Sequence, residues 1–444
     1  MNSTSANLLR KPKTDKPGAQ RVCCTMALTS NPAYQCLAEN HLTCSLHLYM
    51  DAQWRPHCYT CMTELPYRPF HGPLVYRTAA GPSRVLRKTI VVVLHALHMC
   101  GTARHCLELS RELRRKGFSV TILAVGGGGH WAHRFLDAAD TLIVAAPSDT
   151  WINVMNYIDE SNVMFITAHH DPAISWAIAN APTNVPVFAH FHVEPMASTA
   201  TANLLSAAAR RCKRILFPSD HTLEQYKALV PIEHHRVFGV LENKLPHDLF
   251  LHPTLIDKIS ACLPPWSKHT ASTKHLAIIS RLDSDKFSIP LFIGTLQAVI
   301  RIIPQLAVSI AGTGEIQNQV REAATRAGLS PLLNFLGFID DISSLYRAAD
   351  AVFVPSYTEA MPYTALESAS ARTPCIMPRL GYFADTRAML PYVHLFDRDD
   401  HQGAADLIVS ALTQRQSYRP FVPPKRSYRA WARAVSAAYH LETS

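Results

Sequence analysis

The chain has 444 residues, enough for two or three domains, and its 48% apolar and 17% charged residues exclude an intrinsically disordered protein. The formal net charge is +9, but most of the basic excess lies in residues 1–88, which argues against a nucleic-acid partner. No apolar run approaches the roughly 18 residues of a membrane helix, and the polar N-terminus lacks the apolar core of an export signal, so we expect a cytoplasmic protein.

Residues 1–88 are predicted to form a poorly structured, cysteine-containing extension. Six of the 11 cysteines lie before residue 62. Cys44, His47, Cys58 and Cys61 have the paired two-residue spacings of a small zinc site, but no strand or helix pattern frames them. Incidental free thiols are therefore the preferred interpretation, and we expect neither a metal nor a cofactor in this protein.

Residues 89–250 alternate between strand and helix patterns, as in an open parallel α/β domain. The β-branched run at 88–97 predicts a buried strand, and Cys106, Leu109 and Leu113 then form an apolar stripe at helical spacing. Gly117 ends this helix before the strand predicted at 118–125. Four further strand-like runs follow, at 141–146, 163–168, 185–192 and 214–219.

Histidines cluster at the predicted C-terminal ends of these strands, the edge at which parallel sheets bind ligands. They are His95, His98, His169, His170, His190 and His192. Packed or hydrogen-bonded roles are the commoner explanation for such residues. A metal role stays open, but neither a helical pair of ligands nor a neighbouring cysteine pair supports it. The glycine run 126–129 fits a flexible loop better than a phosphate cradle, because it lacks the residues of a P-loop.

Residues 251–274 are predicted to link this domain to a second α/β series at 275–425, followed by a helix at 426–444 that is expected to cross back to the first domain. The first strand of the series ends in Arg281 and Lys286, two cations suited to a diphosphate. The next strand leads to a turn at Gly312 and Gly314. Backbone N–H groups can approach a phosphate closely at such a turn before a helix.

A strand, turn and helix within residues 351–374 carry two carboxylates, Glu359 and Glu367. Pro362 marks the turn, so we expect Glu359 on the loop and Glu367 one to two turns into the helix. The start of a helix favours an anion, and a carboxylate can accept hydrogen bonds from a diol. A solvated surface helix explains the pair alone equally well. Together with the cations and the glycine turn, the pair favours a ligand that is part anionic and part sugar.

These motifs resemble those of the retaining GT-B glycosyltransferases that use nucleotide sugars. The resemblance is strong over about 275–385, weaker back to about 89, and absent from 1–88. SRLDSDK is similar to the family segment whose cations bind the donor diphosphate, and GTGE to its Gly-x-Gly turn. Glu359 and Glu367 match the paired glutamates. HFH resembles the segment whose last histidine, here His192, lies by the transferred sugar, and LENKLPHDLF resembles the segment at the domain junction, retaining Asn243.

The resemblance implies a GT-B fold, in which two doubly wound Rossmann-like domains face a cleft. It also implies transfer of a sugar from a nucleotide-diphosphate sugar to a glycan or lipid-linked acceptor, with retention of configuration and without a required metal. The implied roles are catalysis for Glu359 and His192, an acceptor or phosphate loop at Gly101, and donor binding for Arg281, Lys286, Gly312, Gly314, Met361, Pro362 and Glu367.

Several positions depart from the family pattern. Cys100–Gly101 replaces paired glycines after the first strand, and Ser280, Phe287 and Arg372 stand where glycine is usual. The Cys100–Gly101 and Phe287 departures leave open a catalytically silent GT-B scaffold that binds a nucleotide or a partner. Another GT-B enzyme, such as an epimerase, is a separate alternative. Basic clusters at 114–116 and 210–214 leave peripheral contact with the inner face of a membrane open as well.

Overall fold

The computed structural model describes five short strands before residue 78 and eleven stretches after it: residues 87–98, 100–127, 129, 131–145, 158, 160–195, 198–244, 273–339, 342–380, 392–413 and 425–441. The first four strands form two antiparallel pairs, β1 (Ala33–Gln35) with β2 (Leu42–Cys44) and β3 (Leu48–Met50) with β4 (Pro56–Cys58). His47, Cys61 and the side chains of Cys44 and Cys58 lie outside the described part. The zinc interpretation of these four residues stays untested.

The N-terminal domain is built on an eight-stranded sheet. Its strands are β5 (Leu74–Arg77), β6 (Thr89–Leu94), β7 (Ser119–Ala124), β8 (Thr141–Val144), β9 (Val163–His169), β10 (Val187–His190), β11 (Arg214–Phe217) and β12 (Phe238–Val240). The order across the sheet is β12-β11-β10-β9-β6-β7-β8-β5, and every neighbouring pair is parallel except β5 with β8. Strand β5 therefore extends the sheet with residues that the sequence pattern assigned to the extension.

Five helices cover the two faces of this sheet: α1 (Gly101–Arg115), α2 (Ala132–Ala138), α3 (Ala173–Asn180), α4 (Thr199–Arg211) and α5 (Asp220–Lys227). Strand β6 is buried on both faces, as its run of β-branched residues predicted. The predicted stripe of Cys106, Leu109 and Leu113 on α1 is fully buried against it. Lys116 and Gly117 end this helix, and Gly117 takes a φ of 89° that suits glycine.

The C-terminal domain repeats the arrangement on a six-stranded, fully parallel sheet. Its strands are β13 (Lys274–Ile279), β14 (Leu306–Ala311), β15 (Leu333–Gly337), β16 (Ala351–Phe353), β17 (Cys375–Pro378) and β18 (Val393–Phe396). Its helices are α6 (Ile289–Ile300), α7 (Gln317–Arg326), α8 (Ser343–Ala348), α9 (Tyr363–Ala371) and α10 (His401–Thr413). The order β15-β14-β13-β16-β17-β18 is the 3-2-1-4-5-6 order of a doubly wound sheet.

In both sheets the strand order reverses beside the first parallel strand of the domain. The reversal lies between β6 and β9 in the N-terminal domain and between β13 and β16 in the C-terminal domain. Loops that leave neighbouring strands in opposite directions open a crevice at this point, at the carboxyl ends of the strands. The crevice of the second domain is therefore expected between the loops that follow Ile279 and Phe353.

The last helix, α11 (Lys425–Tyr439), packs on the N-terminal domain. The Tyr439 ring stacks on Phe165 at 5.2 Å between centroids, and its hydroxyl lies 3.0 Å from Thr167 Oγ1. Trp431 Nε1 donates to the carbonyl of Glu242 at 2.9 Å, near the end of the first domain. Among the described helices, none combines the length and apolar character that a bilayer crossing requires.

Candidate functional site

The loop after β13 brings Lys286 to Glu359. Phe287 forms a bridge with Ser356, and the backbone N–H of Tyr357 donates to the carbonyl of Lys286 at 2.8 Å. This pairing of the two loops places Lys286 Nζ 2.8 Å from Glu359 Oε1. The Ser356 hydroxyl donates to the same oxygen at 3.0 Å. Two residues that the sequence separates by 73 positions thus form one charged unit at the crevice.

Arg281 lies at the end of the same strand and is about half exposed, with 48% of its side chain accessible. It forms an ion pair with Asp283, and Asp285 lies at 4.0 Å from its guanidinium. Its charge reaches His170 of the N-terminal domain, where it adds to burial in lowering the pKa of that imidazole. Arg281 therefore lies within electrostatic reach of the first domain.

The turn at Gly312 and Gly314 fits closely against the loop that holds Arg281. Gly312 has a φ of 133°, and a Cβ atom there would lie 1.9 Å from the carbonyl oxygen of Ser280. A Cβ atom on Gly314 would lie 2.2 Å from the carbonyl oxygen of Leu282. Glycine is thus required at both positions so that the two loops can touch. Packing against the neighbouring loop is therefore a second reason for glycine at these positions. The binding of a phosphate by this turn stays a prediction.

Glu367 lies in the second turn of α9, where the sequence placed it. The Tyr346 hydroxyl donates to Glu367 Oε2 at 2.9 Å. Burial raises the pKa of this carboxyl above its ordinary 4.5, although Arg104, Tyr346 and Arg134 act in the opposite direction. Arg104 and Arg134 belong to the first domain, so the carboxylate lies within the electrostatic reach of the facing domain.

Several contacts join the domains around this carboxylate pair. The Asn243 amide donates from Nδ2 to the carbonyl of Met361 at 2.8 Å, and its backbone N–H lies 3.2 Å from Met361 Sδ. Thr358 donates to Glu194 at 3.2 Å. A Cβ atom on Gly101 would lie 3.6 Å from the Tyr363 ring, so the start of α1 faces the start of α9, just after Pro362. The loop that carries Met361 and Pro362 therefore contacts the first domain directly.

Four imidazoles lie together at the carboxyl ends of β9 and β10. His192 Nε2 lies 3.0 Å from His169 Nδ1, and the His192 ring stacks on His190 at 4.1 Å between centroids. The fourth ring is His105 of α1, whose centroid lies 4.5 Å from that of His190. Burial lowers the pKa of His169, His190 and His192 well below 6.5 and that of His105 to about 4, so all four rings are neutral.

Three of these four histidines were expected at this edge of the sheet from the sequence, and His105 was not. A helical pair of metal ligands was not expected from the sequence, and α1 supplies one histidine of the cluster, His105. His105, His169 and His190 each offer a ring nitrogen, and the three nitrogens lie within 4.8 Å of one another. The sequence did contain a sign that His105 is buried, because it directly precedes Cys106, the first residue of the buried stripe on α1.

Comparison with known proteins identifies the family of both domains. Residues 273–414 match the family model described as Glycosyl transferases group 1, and residues 99–238 match Glycosyltransferase Family 4. Together the two models match more than half of the chain. The chain belongs to the GT-B glycosyltransferases. The predicted fold class, two Rossmann-like domains facing a cleft, is confirmed.

Solved structures share this fold along most of their length. The structure of HepE from Anabaena in complex with UDP and glucose superposes with a TM-score of 0.60 at 15% identity, over 80% of this chain and 94% of that one. The structure of WaaG, a glycosyltransferase involved in lipopolysaccharide biosynthesis, gives a TM-score of 0.56 at 13% identity, over 80% and 95%.

Curated relatives match over shorter segments. The UDP-Gal:alpha-D-GlcNAc-diphosphoundecaprenol alpha-1,3-galactosyltransferase of Escherichia coli is 34% identical over 81 residues, 18% of this chain and 21% of that protein. The 2-deoxystreptamine N-acetyl-D-glucosaminyltransferase of Streptomyces fradiae is 29% identical over 126 residues, 27% of this chain and 30% of that protein. The chain thus aligns with less than a third of the length of each.

The positions at which this glycosyltransferase departs from the family pattern have structural roles. Cys100 is the N-cap of α1 and accepts a hydrogen bond from the backbone of Ala103 at 3.4 Å. Phe287 is buried beside Phe292. The Ser280 hydroxyl donates to the carbonyl of Arg281. Arg372 ends α9 in the left-handed region, at a φ of 62° that glycine adopts more readily.

Proposed function

We propose that this protein transfers a sugar from a nucleotide-diphosphate sugar to a glycan or lipid-linked acceptor, with retention of the anomeric configuration. The observation that carries the proposal is the convergence of Arg281, Lys286 and Glu359 at the crevice of a doubly wound sheet. Cations next to a carboxylate suit a donor with an anionic leaving group and a polar sugar. HepE, which shares the fold, was crystallised with UDP and glucose.

In the proposed reaction the bond from the sugar C1 to the diphosphate oxygen breaks, and a bond from C1 to the acceptor oxygen forms. The leaving diphosphate takes the electron pair of the broken bond, and one of its oxygens accepts the proton of the acceptor hydroxyl. Arg281 and Lys286 would bind that developing charge from fixed positions, an electrostatic stabilisation that needs no metal in this scheme. Lys286 is already held by Glu359, so its ammonium group requires little reorganisation when the donor arrives.

The remaining site residues would hold the rest of the donor. Glu367 would accept hydrogen bonds from the ribose diol, a group that every nucleotide sugar carries. Glu359 would bind hydroxyls of the transferred sugar or stabilise positive charge at C1. His192 would position that sugar from the first domain. Its hydrogen bond to His169 fixes the direction of the ring.

The proposal of a glycan or lipid-linked acceptor rests on the names of relatives. It does not rest on a surface feature of the described residues. The Escherichia coli relative carries a lipid diphosphate acceptor in its name. The basic clusters that sequence analysis noted make contacts within the protein: Arg114 pairs with Asp140, Arg115 pairs with Glu112, and Arg211 donates to the carbonyls of Pro182 and Val185. Solvated or internally paired side chains therefore explain these clusters, and membrane contact stays a separate hypothesis.

The proposal predicts that Arg281→Ala and Glu359→Ala lose turnover by about 100-fold or more, the usual effect of removing one group that stabilises transition-state charge. A panel of nucleotide sugars, with hydrolysis and transfer followed by nucleotide release, supplies the assay. Arg301→Ala and Glu322→Ala remove exposed residues of the same types in the same domain and should leave turnover unchanged.

Near-wild-type turnover in Glu359→Ala would contradict the role of that residue. Binding of nucleotide without hydrolysis or transfer of any donor would instead favour the silent scaffold. The two departures that suggested a scaffold, Cys100 and Phe287, are a helix cap and a core residue, so they give no reason to expect inactivity.

A further inference from the structure

The four-histidine cluster of the first domain contains ring nitrogens that nothing in the described structure satisfies. His190 is fully buried, and neither Nδ1 nor Nε2 has a hydrogen-bond partner. Nε2 of His105, also fully buried, has none either. Buried polar atoms in native proteins nearly always have a partner, and three such atoms on two touching rings point to a missing ligand.

The hydrogen bonds around His105 determine its tautomer. Asn243 Nδ2 donates to the carbonyl of Met361, so the amide oxygen Oδ1 is directed at His105 Nδ1, 3.1 Å away. An amide oxygen only accepts, so Nδ1 of this neutral ring carries the proton. The unpartnered Nε2 is therefore a lone pair directed into the cluster. Histidines that bind metals have this arrangement, with the second nitrogen donating to an oxygen acceptor.

His169 is held in a similar way. Its Nε2 lies 3.1 Å from the Thr167 hydroxyl and its Nδ1 lies 3.0 Å from His192 Nε2. If one ring nitrogen of His169 binds an ion, the other keeps its hydrogen-bond partner, and that hydrogen bond orients the ring. The Thr167 hydroxyl is itself 3.0 Å from the Tyr439 hydroxyl, so α11 supports this histidine from behind.

We propose that His105, His169 and His190 form a binding site for a divalent transition metal of the zinc class. Three neutral imidazoles with one position left for water or another ligand are an established zinc set, and the nitrogens lie within 4.8 Å of one another. With zinc–nitrogen distances of about 2.0–2.1 Å, each nitrogen moves inward by less than about 1 Å on binding.

The site joins three elements, because its ligands come from the ends of β9 and β10 and from the second turn of α1. An ion there would fix the start of α1, which faces α9 across the domain boundary. It would also fix His169, the residue that holds His192. The inference concerns metal binding alone and does not depend on the transfer reaction.

The test uses the full chain without a histidine tag, dialysed against zinc and then against metal-free buffer. Elemental analysis should find about one zinc ion per chain that resists dialysis. Cobalt(II) loading of wild-type protein should give the intense d–d bands of a four-coordinate site without thiolate charge-transfer bands, since all three ligands are nitrogens. The cobalt spectrum keeps the proposal testable even if variants in the buried cluster do not fold.

Two ligand variants and two control variants assign the ion to its ligands. His105→Gln and His190→Gln should lose stoichiometric zinc, whereas His234→Gln, at a histidine far along the chain from the cluster, should retain it. The double variant Cys58→Ser/Cys61→Ser should also retain it, which separates the cluster from the cysteines of residues 1–88. Wild-type protein that binds no metal, or zinc that is lost only in the cysteine variant, would overturn the proposal.

Discussion

Replacement of Lys244 by methionine tests the ion pair that joins α1 to the end of the first domain. Lys244 Nζ pairs with Glu108, and only 6% and 3% of the two side chains are accessible. Breaking a buried pair by removing one partner typically costs about 3–5 kcal/mol, because the other charge stays buried. Glu108 keeps contacts with Arg111 at 3.2 Å and Arg104 at 3.9 Å, so we expect the lower end, about 3 kcal/mol.

The pH dependence of this loss has a defined sign. Burial opposes ionisation of Glu108, but Lys244, Arg104 and Arg111 outweigh it and lower the pKa of the carboxyl below 4.5. The pair therefore stabilises the fold above pH 4.5, and this contribution is lost as the pH falls through the lowered folded-state pKa. In the Lys244→Met variant, burial favours the protonated form of Glu108, which carries no charge. The difference in free energy of unfolding between wild type and variant should therefore be smaller at about pH 5 than at pH 7.5.

Urea unfolding followed by tryptophan fluorescence at the two pH values supplies the measurement. A loss of about 3 kcal/mol corresponds to a midpoint shift of about 1 M if the slope is about 3 kcal/mol/M. Lys227→Met is the matched control, because its pair with Glu224 is solvent-exposed and should contribute at most about 0.5 kcal/mol. A Lys244→Met loss below about 1 kcal/mol, or one that does not change with pH, would refute the reasoning.

Three further predictions concern the second domain. Gly312→Ala should lower the free energy of unfolding in urea by about 3 kcal/mol, because the residue has a φ of 133° and its Cβ would lie 1.9 Å from the Ser280 carbonyl oxygen. The control is Gly328→Ala, which also has a positive φ but lies in open space, and it should lower the free energy of unfolding by only about 1 kcal/mol. Arg372→Gly should stabilise by about 0.5 kcal/mol, because glycine adopts its φ of 62° without strain. Since burial raises the pKa of Glu367 above 4.5, calorimetry should show nucleotide affinity weakening on acidification before pH 4.5 is reached, and Glu367→Gln should flatten this dependence.

Much of the fold was readable from local patterns. The β-branched run before residue 95 became the doubly buried strand β6, and the stripe of Cys106, Leu109 and Leu113 became the buried face of α1. Glu359 and Glu367 lie on the loop and in the second turn of a helix, where the turn at Pro362 placed them. Each of these predictions depends only on residues within a single helix or strand or its adjoining turn. Over such short distances the periodicity of apolar residues determines which side chains are buried.

Other features depended on which strands become neighbours. The antiparallel strand β5 pairs with β8, 67 residues further along the chain, and no periodic pattern encodes that pairing. The glycines at 312 and 314 were expected to serve a phosphate, yet their immediate contacts are the carbonyls of Ser280 and Leu282. The glycines predicted the turn correctly. They did not predict which loop packs against it, because contacts between two loops at the same edge of a sheet depend on the tertiary structure.

The sequence by itself determined the alternation of buried strands and capped helices, and with it the doubly wound class and the position of the carboxylates and cations along the chain. Only the tertiary structure decided that Lys286 holds Glu359, and that His105 joins His169 and His190. The physical reason is that side-chain periodicity records burial, whereas these partnerships arise where the strand order reverses and distant loops meet.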